Sequence, residues 1–490
     1  MDDALRVSLS PPSSPRLSRL IGILVPTKVA TKVATKVGII GRFRHCAEDE
    51  RGYNRGMKKR LFAMSVRRPA LLLAGLAMVS AVHADNWPAW RGAEGSGVSA
   101  ERRVPLSWSP KENVRWKVPL PDRGNSTPII WEDRVFITQA LEKEGRRMVV
   151  CFRRVDGLRL WQEGPVYAEP EETHDENPAC AASPVTDGKR VFAFFGSAGL
   201  FCFDLYGNKV WQRDLGKFHH QWGYAASPML TADLCILNFG PSDKTFLVAL
   251  DKKTGETAWR VDVPFVQPEQ RTDGFAGREK GGMVGSWSTP LLITANGRPE
   301  LVMTFPEQVR ALDPATGKGL WTCKGLNPLV YASPIYGNGV VVAMGGFLGS
   351  SVAVRPGGQG DVTASHRLWQ VARTKNRLGS GVIHEDYIYV LDTPGVVECL
   401  ELKTGRVIWE ERLKGLGAKS ESWSSMVLVG ERIYILNQSG DTMVLRASPH
   451  FKVLAVNSIG GEMTNASHAI SDGDIFIRTQ QNLWCISEKK

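Results

Sequence analysis

From about residue 114 onward, apolar and polar positions alternate in short blocks of strand length. Runs such as Val135-Phe136-Ile137, Val191-Phe192-Ala193, Ile388-Tyr389-Val390, Ile433-Tyr434-Ile435 and Ile475-Phe476-Ile477 are rich in β-branched and aromatic residues. Turn-forming pairs such as Asp187-Gly188, Asn296-Gly297 and Asp472-Gly473 separate such runs from the ones before them. This patterning predicts hairpins of short strands.

The blocks recur in a fixed order. A small residue, commonly followed by proline, opens each copy. The openings are Ser126-Thr127-Pro128, Ala182-Ser183-Pro184, Ala226-Ser227-Pro228, Ser288-Thr289-Pro290 and Ala332-Ser333-Pro334. Ser380-Gly381, Ser424-Ser425 and Ser467-His468-Ala469 continue the series without proline. Proline is tolerated at the first residue of a strand, where its missing N–H breaks no ladder bond. A tight turn and a tryptophan-bearing strand close each copy, as in Asp251…Thr254-Gly255…Trp259 and Asp313…Thr316-Gly317…Trp321. The seventh copy is degenerate here, around Phe451 to Leu454. Four strands per copy, repeated eight times at intervals of about 40–60 residues, predict an all-β, eight-bladed β-propeller. The eighth copy lacks its last strand, and a spare tryptophan strand, Asn113 to Pro119, precedes the first copy. Closing the ring with that strand removes the open edge, so a monomer is expected.

The chain therefore divides into a low-complexity extension (1–56), a leader (57–84), a lead-in (85–113) and the propeller (114–490). The leader begins Met57-Lys58-Lys59-Arg60, carries an apolar run from Pro69 to Val82, and ends Val82-His83-Ala84. These are the parts of a signal peptide, and the run is too short to span a bilayer. Export to the periplasm or the medium is expected. The net charge of +11 changes little: residues 1–84 hold 15 of the 61 Lys/Arg and 5 of the 50 Asp/Glu, leaving 46 basic against 45 acidic residues. Nothing in the body reads as a nucleic-acid surface. Cys151, Cys202, Cys399 and Cys485 share one repeat position with Ala249, Ala311 and Ala353, which marks a small buried strand site rather than a disulfide or metal framework.

The small-Pro opening and the Ala-Leu-Asp-x-x-Thr-Gly-x-x-x-Trp ending, clearest at Ala249–Trp259 and Ala311–Trp321, resemble the PQQ-like (quinoprotein) repeat. The segment Asn86-Trp87-Pro88-Ala89-Trp90-Arg91-Gly92 resembles the opening of exported PQQ-repeat proteins of planctomycetes. The resemblance implies either of two functions. One is a BamB-like binding or scaffolding module for an envelope protein, a glycan or a small molecule. The other is an oxidoreductase that uses PQQ and calcium to oxidise an alcohol or sugar. The paired cysteines of the family's dehydrogenases and the Cys-x-x-Cys-His of its haem-bearing members are both missing from the sequence.

Segments just before each inner strand converge on one mouth of a propeller's channel. Here they are polar and aromatic, and supply Asn125, Asn177, His220, Trp222, Tyr224, Trp287, Tyr331, Arg377, Glu421, Trp423 and His468 as candidate ligand-binding residues. Such a set could stack a planar ligand. Under the oxidoreductase reading, Asn177 or Glu421 would offer oxygens to calcium and Arg377 would face the quinone. Adjacent His219 and His220 point to opposite faces if the chain is extended, so they are poor partners for one metal. No catalytic or metal set is assigned.

Overall fold

Burial sorts the strands by depth. In the first blade the second and third strands, Arg134–Leu141 and Arg146–Arg153, are buried along their middles, whereas the fourth, Arg159–Glu163, is largely exposed. A computed structural model describes residues 85–263, 285–346, 349–371 and 375–488. The extension and signal peptide expected over 1–84 lie outside the described residues. Eight four-stranded antiparallel sheets form the blades of a β-propeller. Their inner strands are Ile129–Trp131, Val185–Thr186, Met229–Leu230, Leu291–Ala295, Ile335–Gly337, Val382–His384, Val427–Val429 and Ala469–Ser471, numbered here as blades 1 to 8. The outer strand of blade 8 is Val114–Pro119, which pairs with Asn482–Ile486 and closes the ring. Among the described residues no helix is long and apolar enough to cross a membrane.

Tryptophan joins blade to blade. Each outer-strand Trp lies opposite the small residue of the third strand: Cys151 faces Trp161, Cys202 Trp211, Ala249 Trp259, Ala311 Trp321, Ala353 Trp369, Cys399 Trp409 and Cys485 Trp116. The small side chain leaves room for the indole, which explains Cys151, Cys202, Cys399 and Cys485; all seven described cysteines are buried and free. Six of these indoles donate their N–H to a carbonyl in the turn of the next blade, for example Trp161 to Leu205 (2.9 Å), Trp259 to Pro314 (3.0 Å) and Trp116 to Arg154 (2.7 Å). The turn glycine must lie flat against the ring: Gly157 has φ of +72°, and an added Cβ would sit 2.8 Å from Trp116. Trp321 departs from this scheme. The following turn is opened by an insertion whose Gly360–Asp361 adds a fifth strand to blade 4, and Trp321 donates to Glu300 of its own blade (2.7 Å).

Blade 7 has Ala455, opposite Val444, where the tryptophan belongs. The lead-in supplies the missing ring. Trp108 packs on Tyr434 at 6.5 Å between centroids, and Tyr434 occupies the strand position from which Phe136, Phe192, Tyr389 and Phe476 meet the tryptophans of their own blades. Asn457 holds this segment by accepting from Trp108 N (2.9 Å) and donating to Leu106 O (3.1 Å).

The rest of the lead-in crosses one end of the channel. Trp87 bridges to Ile130 of blade 1, Pro88 O accepts from Thr186 N of blade 2, and Val98–Ser99 pairs in parallel with Leu428–Val429 of blade 7. Between these points the buried Arg91 donates to Ser380 O (3.0 Å) and Gly381 O (2.6 Å) of blade 6. Burial lowers its pKa to about 9. Glu101 finishes the crossing by accepting from Gly473 N of blade 8 (2.5 Å).

Candidate functional site

The small residue of each opening proves to be a hydroxyl with a bond to make. Thr127 N donates to Ser183 Oγ, Ser183 N to Ser227, Ser227 N to Thr289, Thr289 N to Ser333, Ser333 N to Ser380, Ser380 N to Ser425, Ser425 N to Ser467 and Ser467 N back to Thr127, all at 2.8–3.0 Å. Eight bonds, one per blade, encircle the channel. The inner strand has no sheet neighbour on its channel side, so its first N–H would otherwise stay unpaired. None of the eight hydroxyls donates its own proton to an acceptor among the described residues.

Side chains two residues apart on an extended segment share a face. The residues two before each hydroxyl are Asn125, Ala181, Ala225, Trp287, Tyr331, Leu378, Trp423 and Asn465, and all eight line a cavity of about 320 Å³ directly over the ring. Trp222, His174, Asn177 and Asn376 complete its wall, and Trp90 enters it from the lead-in at the closed end.

The wall is two-sided. Blades 4 and 5 provide Trp287 and Tyr331, with ring centroids 5.3 Å apart, and Trp222 packs 5.7 Å from Trp287 and 6.1 Å from Tyr331. Trp287 is fixed by its N–H bond to Gly223 O (2.9 Å). In an eight-membered ring these blades stand opposite blades 8 and 1, which provide Asn465 and Asn125. An aromatic arc thus faces an amide arc.

A loop over residues 164–181 borders the mouth. Glu171 anchors it in a buried ion pair with Arg147 (2.8 Å) and accepts from Ser197 N (2.7 Å). Farther on, Glu176 O accepts from Asn125 Nδ2 (2.7 Å) and Asn465 Nδ2 (3.0 Å), and its carboxylate meets Gln438 (3.2 Å) and Lys419 (3.5 Å). His174, on the same loop, packs 5.8 Å from Trp423.

Of the residues expected from sequence, the structure brings Asn125, Asn177, Trp222, Trp287, Tyr331 and Trp423 together around the cavity. His220 stands behind them, edge-on to Trp287 at 4.8 Å, and burial lowers its pKa to about 4. The other four are placed elsewhere. Tyr224 is buried between blades against Phe194 and Phe218, its hydroxyl accepting from Cys180 N (2.9 Å), and burial holds its pKa well above the usual value. Arg377 turns into the wall of blade 6 and pairs with Glu398. His468 lies inside the propeller wall, bonded to Thr442 Oγ1 (2.9 Å), with its pKa lowered to about 3 by burial. Glu421 is exposed. The offset from the hydroxyl explains the first three: at odd offsets, the alternation of the chain directs them away from the channel. Trp90 and the hydroxyl ring itself were not expected from sequence. The fixed position of the small residue was the available signal for the ring.

Among the described residues no Asp, Glu, Lys or Arg side chain lines the cavity. Among the described residues no group of three His, Cys, Asp or Glu is placed to hold a metal ion. The cavity can stack a flat surface on one side and exchange neutral hydrogen bonds on the other and at its floor.

Comparisons with known proteins agree with this architecture. The family model described as outer membrane protein assembly factor BamB matches residues 105–233 and 242–490. No curated protein matches the chain. The crystal structure of BamB from Moraxella catarrhalis is 13% identical, with 76% of this chain and 96% of that chain covered and a TM-score of 0.52. A computationally designed protein, Ika8, covers 76% of this chain and 99% of its own at 11% identity and a TM-score of 0.49. Quinohemoprotein alcohol dehydrogenase from Comamonas testosteroni is 12% identical, with 83% and 81% covered and a TM-score of 0.41.

Proposed function

Since the chain belongs to the family described as outer membrane protein assembly factor BamB, we propose that it is an exported, non-catalytic propeller that recognises its partner through the channel cavity and the loops around it. The observation that carries this reading is the neutral lining: a walled, aromatic and amide-bearing cavity with no charged side chain in it among the described residues. Chemistry on a bound molecule calls for an acid–base pair, a nucleophile with its base, or a metal. Among the described residues the lining offers one imidazole, that of His174, and its Nδ1 accepts from Glu176 N (3.1 Å).

The residues present do not fit PQQ with calcium. An anionic quinone needs cationic partners, and Arg377 is committed to Glu398 within the wall. Calcium takes six to eight oxygens, carboxylates prominent among them. Glu421 is exposed outside the cavity, and Asn177 Oδ1 already accepts from Asn125 (3.3 Å) while its Nδ2 donates to Trp222 O (2.9 Å). Export rests on the basic, apolar and small-residue succession of residues 57–84.

The test is a titration of the purified exported protein with PQQ and Ca²⁺, following quinone absorbance and dye-linked oxidation of alcohols and sugars. No saturable binding at micromolar concentration and no turnover is the expected result. Saturable binding with turnover would overturn the reading. Recovery of residues before Met57 in the mature protein would overturn the assignment of the leader.

A further inference from the structure

We infer that the channel cavity binds a neutral sugar, with one pyranose face laid on the Trp222–Trp287–Tyr331 arc and the hydroxyl rim held by Asn465 and the hydroxyl ring. The inference rests on the reading of the cavity as a binding site and names the class of its occupant.

Two features of the cavity select that class. A sugar ring has an apolar C–H face and a rim of hydroxyls, and the cavity has an aromatic side and an amide side set opposite each other. An aromatic face attracts the weakly positive C–H groups through its negative quadrupole. Each hydroxyl of the floor has already accepted a backbone N–H and retains one donor, so the floor asks for acceptors. The ring and rim oxygens of a sugar supply those acceptors.

Charge excludes the alternatives of similar size. A nucleotide, a sugar acid, an amino sugar or a peptide terminus would bring a full charge into a cavity whose lining, among the described residues, has none to answer it. The lead-in closes the far end of the channel, so an extended chain cannot thread through. At about 320 Å³ the space lies at the small end of ligand sites, suited to one or two sugar rings. Hydrolysis needs two carboxyl groups flanking the glycosidic bond, and the described lining has none, so the sugar is held and not cleaved.

Titration calorimetry of the full exported protein decides this. The probes are methyl glucoside, N-acetylglucosamine, maltose and cellobiose, their charged counterparts glucuronate and glucosamine, and N-acetyl-tryptophan amide as a stand-in for a protein side chain. At least one neutral sugar should bind saturably, and its charged counterpart at least tenfold more weakly. Trp222→Ala and Trp287→Ala should each lose tenfold or more, whereas Trp161→Phe, far from the cavity, should not; Trp287→Phe keeps an aromatic ring if the alanine variant fails to fold. Charged sugars binding as well as neutral ones would overturn the inference. So would an absence of sugar binding up to millimolar concentration. If the tryptophan amide alone binds, and does so in a Trp222-dependent way, the sugar is wrong and the binding site stands. Turnover with PQQ and Ca²⁺ would remove both.

Discussion

The two ends of the channel are built from the same residue types to opposite purposes. At the closed end Trp87 is 2% exposed, packed in a core shared by blades 1, 7 and 8, and Arg91 spends its donors on backbone carbonyls. At the open end Trp222 and Trp423 remain partly exposed and face the cavity. Tryptophan at the first end is satisfied by the protein alone. At the second its ring faces still have surface to cover. Residue type therefore says little about role in this molecule, and the geometry of burial says more.

The largest expected effect separates the two directly. Trp87→Ala should lower stability by about 3–5 kcal/mol, the usual cost of emptying a buried tryptophan site, read as a shift of the denaturant midpoint. Trp222→Ala should cost under about 1 kcal/mol while reducing ligand binding. Equal losses of stability would mean that the mouth aromatics are packing residues and would erase the distinction.

A smaller loss is expected from Gly92→Ala. Gly92 has φ of +83°, and an added Cβ would lie 2.9 Å from the Trp87 ring. Strain of about 1–3 kcal/mol follows, again confined to the closed end. The variant should keep its affinity for any ligand of the cavity, measured at a temperature well below its melting point.

The ends should also answer pH with opposite signs. Burial raises the Glu101 pKa to about 7, so the folded protein holds that proton more tightly than the unfolded chain. The resulting stability is whole below about 4.5 and is lost as pH rises through 7. Burial lowers the His220 pKa to about 4. Its contribution is present above about 6.5 and is lost as pH falls toward 4. Melting curves of Glu101→Gln between pH 4.5 and 7 should lose the falling component, and those of His220→Gln should lose the rising one. Identical profiles for both variants would count against the contrast.

The smallest effect concerns the loop at the mouth. Glu176→Gln removes a half-exposed contact with Lys419, worth at most about 1 kcal/mol. Global stability should hardly move, but limited proteolysis within residues 164–181 should quicken. Unchanged cleavage would show that Glu171 and the backbone contacts hold the loop without it.

The repeat was legible because its signals are local. A glycine turn, a small third-strand residue and a tryptophan lie within a dozen residues of one another, and each copy restates the same packing problem. Closure by Val114–Pro119 followed from one strand missing at one end and one spare at the other. Trp108 was not legible as the substitute in blade 7, because nothing in the irregular lead-in carries the register of the repeat. In the site, Trp287, Tyr331, Trp423 and Asn125 could be read from their place before the inner strands. Arg377, Tyr224 and His468 lie equally close in sequence. Only strand alternation, counted from the hydroxyl, separates them from these four.

That hydroxyl ring has one further consequence. Its bonds all run the same way, from each blade to the next, and the step from Ser467 to Thr127 is equivalent to the other seven. The polypeptide has a start and a finish, but the ring has no seam. A circularly permuted chain, with its old ends joined and new ends cut in any blade-to-blade loop on the outer rim, would present the same eight-fold circuit around the axis. The place where translation begins and the place where a ligand is held are, in this architecture, independent choices.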